Sequence, residues 1–388
     1  MTGRSLFLLF AAFSLLGCGS SDDGASPGGG GSGGAGGSGG SAGAAGMAGA
    51  GGSAGQGDAL EAAVRSHDWT KMTKAPTVSA GKQDDVFFVS PTVGYLASGP
   101  KGAVYKTDDA GETWAPVLTS STAYFRSVLF TSEQHGFAGN IGAGLAASIS
   151  DATLMYETSD AGQTWNPVTN ITGSAAKGLC NFTAVDADHL FGIGRANGPA
   201  HLLVSENGGK DWVAKDMSSV LSMAIDARFT SPTTGLVVGM SATGAKCTVV
   251  KTTDAGDSFS TVFTSDTVGS LCWKIQFPSE QVGYVAVQDS TNGPATFAKT
   301  TDGGDSWSEL PLPGDGSAYA AIGVGFINEK IGWMAPEEAS QPVYRTFDGG
   351  ETWEEDPALK APINRFRFID DHTAIAVGGA VWKLDLAK

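Results

Sequence analysis

Residues 346–353 read Thr-Phe-Asp-Gly-Gly-Glu-Thr-Trp, and five other stretches repeat the pattern: 107–114 (TDDAGETW), 158–165 (TSDAGQTW), 205–212 (SENGGKDW), 252–259 (TTDAGDSF) and 300–307 (TTDGGDSW). The third position is Asp109, Asp160, Asn207, Asp254, Asp302 or Asp348. An oxygen there accepts backbone N–H groups inside a tight turn, and the glycine two residues later takes the positive φ that closes a hairpin. The final aromatic opens the next strand and buries a large apolar surface between neighbouring units. From aromatic to aromatic the steps are 51, 47, 47, 48 and 46 residues. That period suits a four-stranded propeller blade.

Short β-rich runs lead into the boxes, as in Ala103-Val-Tyr105, Leu202-Leu-Val204 and Pro342-Val-Tyr344. Upstream of each box an apolar strand ends in a Phe, crosses a polar turn and resumes with glycine and a large apolar residue. Clear copies are Phe88…Gly94-Tyr95, Phe130…Gly136-Phe137, Phe229…Gly235-Leu236, Phe277…Gly283-Tyr284 and Phe326…Gly332-Trp333, with weaker ones at 184–191 and 368–375. Seven inner hairpins therefore serve six boxes. Residues 380–385 supply a third strand and no fourth, while Trp69 precedes Trp114 by 45 residues, one period. We read an all-β, seven-bladed propeller over 58–388, of four-stranded antiparallel blades, whose last blade is closed by the N-terminal strand. Closure leaves no open sheet edge at the seam.

These residues resemble the Asp-box (BNR-repeat) propellers, and among them the photosystem II stability/assembly-factor-like group, over about residues 67–385. The resemblance implies that the boxes lie on the outer turn between third and fourth strands, away from the ligand face, and are structural. It implies no photosynthesis. Sialidases and sortilin-type receptors also carry the box, so it does not by itself define function.

The residues before the ring read as an address. Arg4, the apolar run Leu6–Leu16 and Leu15-Leu16-Gly17-Cys18 form a signal of 17 residues, too short in its apolar part to span a bilayer. Leu-x-Gly-Cys resembles the bacterial lipobox, which implies lipidation of Cys18. Glycine rather than aspartate follows, so the resemblance implies an outer-membrane anchor in the cell envelope, facing either side. Residues 18–57 are the expected tether. Its portion 24–57 has 18 glycines in 34 residues and no charge, and cannot bury a core.

Across 388 residues, 24 Lys and Arg oppose 40 Asp and Glu, a net charge of −16. Nucleic acid and direct binding to an anionic membrane surface are excluded as main partners, since both need clustered cations. Aligned on the terminal Phe, the innermost strands carry Asp226, Arg228, Lys274, Arg365 and Arg367 on the side facing the channel. They are candidate binding residues at the channel mouth, expected on the face opposite the boxes, with internal salt bridges as the competing role. Tyr124, Phe125, Trp273 and Tyr319 are candidates for stacking on a sugar or a protein, or for core packing. The 140–153 excursion is a candidate recognition loop. The five histidines have no metal-ligand spacing, and neither metal nor cofactor is expected. The Arg-Ile-Pro signature of sialidases is missing. Cys180, Cys247 and Cys272 allow one disulfide plus a free thiol, or three thiols. The expected function is a non-catalytic, lipid-anchored scaffold for another envelope protein. A glycan-binding or glycoside-hydrolase propeller is the alternative.

Overall fold

The computed structural model describes residues 54–77, 82–100, 102–289, 295–313 and 319–387. The signal segment, Cys18 and the tether up to residue 53 lie outside them. Seven sheets follow one another along the chain, each joined in sequence order. Blade 1 consists of Gln83–Phe88, Gly94–Ser98, Ala103–Thr107 and Ala115–Thr119. The first strands of blades 2 to 7 are Phe125–Phe130, Asn181–Ala184, Leu221–Phe229, Ser270–Gln276, Ala321–Phe326 and Ile363–Phe368. They touch in a closed circuit, blade 7 returning to blade 1, and so line a central channel. Blade 7 takes its fourth strand from the other end of the chain: Thr70 lies opposite Lys383 and Lys71 opposite Trp382. Blade 3 carries one strand more than the repeat predicts. Ile171–Gly173 adds in parallel to its outer strand Trp212–Asp216.

The boxes are hydrogen-bonded knots between third and fourth strands. In blade 1, Asp109 Oδ1 accepts the Thr113 N–H at 2.8 Å and Oδ2 its hydroxyl at 2.6 Å, while the Thr107 hydroxyl accepts the Gly111 N–H at 2.9 Å. Two consecutive residues, Ala110 and Gly111, have positive φ of 58° and 88°. Expectation had assigned that conformation to the glycine alone. The extra left-handed residue turns its N–H toward Thr92 O in the first hairpin of the same blade, 2.9 Å away, and every other box repeats this bond. Blade 3 inverts the polarity: Asn207 Nδ2 donates to Asp211 Oδ2 at 2.9 Å. An amide in the third position brings N–H groups, so the seventh must accept.

The inner recurrence is explained by packing. Phe130 lies flat on Tyr95 of the preceding blade, ring centroids 3.5 Å apart, with Trp165 edge-on at 6.1 Å. Phe326 repeats this with Tyr284 and Trp353. The other side of the Phe ring covers the glycine of its own blade. A Cβ on Gly332 would stand 2.3 Å from the Phe326 ring. Trp69 takes the edge-on place at the seam, 5.5 Å from Trp333 and 5.8 Å from Phe366.

One element was not anticipated. Residues Ala54–Ser66 form a helix that overlaps the last residues of the expected tether. Leu60 and Val64, four apart on one face, pack among Trp69, Trp333 and Phe366. Arg65 lies 3.7 Å from the Phe347 ring centroid and bonds Glu354 at 3.1 Å.

Gly332→Ala should lower stability by about 2–3 kcal/mol, because Phe326 is held on its far side and its flank. Gly379→Ala, whose Cβ would meet nothing closer than 3.5 Å, should stay within about 0.5 kcal/mol. Denaturant midpoints check both. The box hydroxyls and N–H groups of Thr113, Ser258 and Ser306 hold Asp109, Asp254 and Asp302 below the usual carboxylate range, at about 2. A depressed folded pKa stabilises fully above about pH 4, and the gain is lost as pH falls toward 2. Melting temperature should therefore drop between pH 4 and pH 2, and less steeply when all three are replaced by asparagine.

Candidate functional site

Each first strand runs toward the turn that its box grips, so residues near the terminal Phe sit at the box end of the channel. This decides where the candidates lie. A cavity of about 880 Å³ opens there, between turns that include Val89, Thr131, Asp186, Thr230, Glu280 and Asp370, with Asn181, Asp226, Arg228, Arg365 and Arg367 in its wall. The expectation of a mouth on the face opposite the boxes is corrected. Strand direction follows from the hairpin order, and it places these residues at the box end.

Arg365 bridges the channel. Its Nη1 donates to Asp226 Oδ2 at 3.0 Å on blade 4, its Nη2 to Asn181 Oδ1 at 2.9 Å on blade 3, and its Nε lies 3.2 Å from Asp85 Oδ1 on blade 1. Asn181 Nδ2 in turn donates to Asp226 Oδ1. Asp226 also accepts the N–H groups of Ala227 and Ile275 at 2.9 and 3.3 Å. Arg367 binds Asp85 at 3.1 Å and Val86 O at 3.0 Å. Asp226, Arg365 and Arg367 thus form the internal salt-bridge network that the sequence left as one of two roles. Of these, Arg367 is the more exposed to the cavity.

Arg228 stands higher in the wall, 4.2 Å over the Phe277 ring, with Nη1 donating to Ser279 O at 3.3 Å. Burial pulls its pKa down to about 10, against the opposing pull of Glu280. Lys274 does not reach the cavity wall. It is 2% exposed. Burial first, then the charges of Arg365, Arg126 and Lys82, push its pKa well below the usual lysine range.

A second layer escaped the sequence reading. Six first strands break register one position before the Asp85 level, at Asp84, Arg126, Ile225, Trp273, Ile322 and Asn364. A bulge re-aims the side chain that alternation would bury between blades. Arg126 Nη1 binds Asp84 at 3.1 Å, and Asn364 Oδ1 accepts both Trp273 Nε1 at 3.0 Å and Lys82 Nζ at 3.1 Å. These contacts join blades 1, 2, 5 and 7 across the channel. Beyond them Tyr124, Ile141, Ile149, Cys180, Ile225, Trp273 and Ile322 form one apolar cluster.

The other aromatic candidates are absorbed into the core, Tyr124 and Trp273 in that cluster and Phe125 and Tyr319 in two others. Tyr124, Phe125, Trp273 and Tyr319 are all buried, and none presents a ring for stacking. The 140–153 excursion is pinned at its base, with Asn140, Ile141 and Ile149 buried, while 144, 146–148, 150 and 152 are exposed. Asn140 accepts the Tyr124 N–H at 2.9 Å and donates to Thr153 O at 2.8 Å, and Arg195 clamps the carbonyls of Ile141 and Ala143 at 3.0 and 2.9 Å. Cys247 and Cys272 form a disulfide between blades 4 and 5, and Cys180 is a buried free thiol.

A family model for the BNR/Asp-box repeat matches residues 344–355, the last box and its flanks. The chain folds as a seven-bladed β-propeller whose last box carries this match. No curated protein matches this propeller by sequence. Its fold is similar to that of YCF48 bound to D1 peptide, with TM-score 0.58, 20% identity, and 82% of this chain covering 97% of that one. YCF48 from Cyanidioschyzon merolae is similar at TM-score 0.60 and 17% identity, over 83% of this chain and all of that one. A GH74 xyloglucanase from Xanthomonas campestris is similar at TM-score 0.61 and 14% identity, but 83% of this propeller spans only 54% of that chain. Both a peptide-bound protein and a glycoside hydrolase thus share the fold.

Arg365→Ala leaves Asp226, Asp85 and Asn181 buried without their shared donor. Stability should fall by about 3–5 kcal/mol, measured by chemical denaturation.

Proposed function

We propose that this propeller is a non-catalytic scaffold, anchored in the cell envelope through lipidated Cys18, that receives a segment of a partner protein in the box-side cavity. The observation that carries the reading is the cavity wall itself. Its buried carboxylates, Asp226 and Asp85, are committed to Arg365, Arg367 and backbone N–H groups, so neither is presented to the cavity as an unengaged acid or base. Arg228 and Arg367 are placed to meet carboxylates or carbonyls of an incoming chain. Similarity of fold to YCF48 bound to D1 peptide supports a peptide over a sugar. The Cys247–Cys272 disulfide supports an oxidising, extracytoplasmic setting. We propose the outer membrane as the address.

Full-length protein used as bait in envelope extracts should retain a defined protein partner. Arg228→Ala with Arg367→Gln should weaken that capture at least tenfold, on the scale of one or two charge-assisted hydrogen bonds. Cys18→Ser should move the protein from the membrane to the soluble fraction. Undiminished capture by the double variant, or strong binding to a glycan array without a protein partner, would overturn the reading.

A further inference from the structure

Depth in the box-side cavity follows strand position. Every first strand runs toward the boxes, so the residue one before its last position lies deeper than the residue one after it, by about 7 Å along the strand. Both sets line the cavity. The deeper level carries Phe87, Leu129, Thr183, Arg228, Gln276 and Arg367. The next forms a largely apolar collar of Val89, Val185, Pro278, Ile327 and Ile369, with Thr131 and Thr230 between them. The turns that follow bring Asp186, Glu280 and Asp371, all exposed, to the rim.

Not every deep group faces an entrant. Gln276 is committed to the backbone of Phe326, donating to its carbonyl and accepting its N–H, each at 3.1 Å. Leu129 is buried, whereas Phe87, Arg228 and Arg367 are half-buried. Arg367 is oriented through Nε on Val86 O and Nη2 on Asp85, and its Nη1 meets no acceptor among the described residues, while 31% of its side chain is exposed. Charge is therefore stacked by depth, with cations below, an apolar collar above them and carboxylates at the lip. A uniformly acidic entrant is repelled at the lip and a uniformly basic one below it.

Resting on the reading that this cavity receives a partner segment, we propose that the segment is a surface loop with two carboxylates at its tip, apolar residues beside them, and lysine or arginine on its arms. The tip carboxylates meet Arg228 and Arg367, the apolar residues meet Phe87 and the collar, and the basic arms meet Glu280 and Asp371. Arg228 and Arg367 stand on blades 4 and 7, three steps apart in the ring, so they call for two carboxylates and not one. A loop supplies these from its two arms, and the collar residues, spread over blades 1, 3, 5, 6 and 7, surround both arms. Asp371 follows Arg367 by four positions, and an extended arm advances by the same rise, which puts the basic residues about four positions from the tip.

A library of disulfide-closed random loops displayed on phage, selected on the full-length chain, tests this. Enriched loops should carry acidic residues at the centre, apolar residues beside them and Lys or Arg toward the ends. Arg228→Ala with Arg367→Gln should weaken a selected loop about tenfold. Glu280→Gln with Asp371→Asn, both on the exposed rim and away from the core, should weaken it about threefold and abolish the preference for basic ends while the central acids persist. A parallel library of linear peptides with free C-termini separates a loop from a chain end. Loops that need the cavity but lack this order of charge, basic ends indifferent to the rim variant, or stronger enrichment of peptides through a terminal carboxylate would each overturn the inference and leave the cavity's role as a segment receptor standing. Absence of any cavity-dependent peptide, together with no captured partner, would overturn both.

Discussion

The ring depends on one repeated contact, a phenylalanine ring clamped between two blades. Its face lies against the aromatic near the start of the second strand in the preceding blade, as Phe229 lies 3.6 Å from Phe191. Its other face lies on a glycine of its own blade, and the box tryptophan stands at its edge. Replacing the glycine pushes the ring into the neighbouring blade; removing the ring opens a gap that neither sheet can close alone. The box is the second half of the device. Tyr95 donates to Ala161 O and Tyr284 to Gly349 O, each in the next blade, at 3.1 Å. Turn chemistry and blade packing are thereby coupled at the same spot.

Because the clamps face between blades, the channel-facing positions of the same strands are released from the repeat. Six first strands keep the same bulge, yet the residues it exposes are Asp, Arg, Ile, Trp, Ile and Asn. The frame is periodic and its lining is not. Arg365 exploits this by reaching three blades at once. Beyond that bridge, away from the boxes, lies the apolar cluster of Tyr124, Ile141, Ile149 and Trp273.

Much of this was legible. The six boxes, the period near 47 residues and the stray Trp69 led to seven blades and the closing strand, because turn chemistry and strand alternation are local properties. Asp226, Arg228, Arg365 and Arg367 were found by alternation counted back from the terminal Phe, which holds over three residues. Alternation fails one residue further on, where the bulge intervenes, so Arg126, Asp84 and Asn364 were missed. The bulge leaves no mark in composition. The helix over 54–66 was legible in Leu60 and Val64 but lay beside a glycine tract that drew the boundary too far along. The extra parallel strand of blade 3 has no local signal, since its partner lies some forty residues away.

The sequence by itself determined the architecture: a hairpin motif repeated at one period can bury its aromatics only by stacking copies, and seven inner hairpins with six boxes can close only by borrowing a strand. Tertiary structure alone decided at which end of the channel the candidate residues lie and which charges pair. Those depend on residues 40 to 280 positions apart meeting across a channel, where a one-residue bulge or the reach of one arginine changes every partner. No pattern along the chain encodes that distance, because pairing across the channel is set by the closure of the ring.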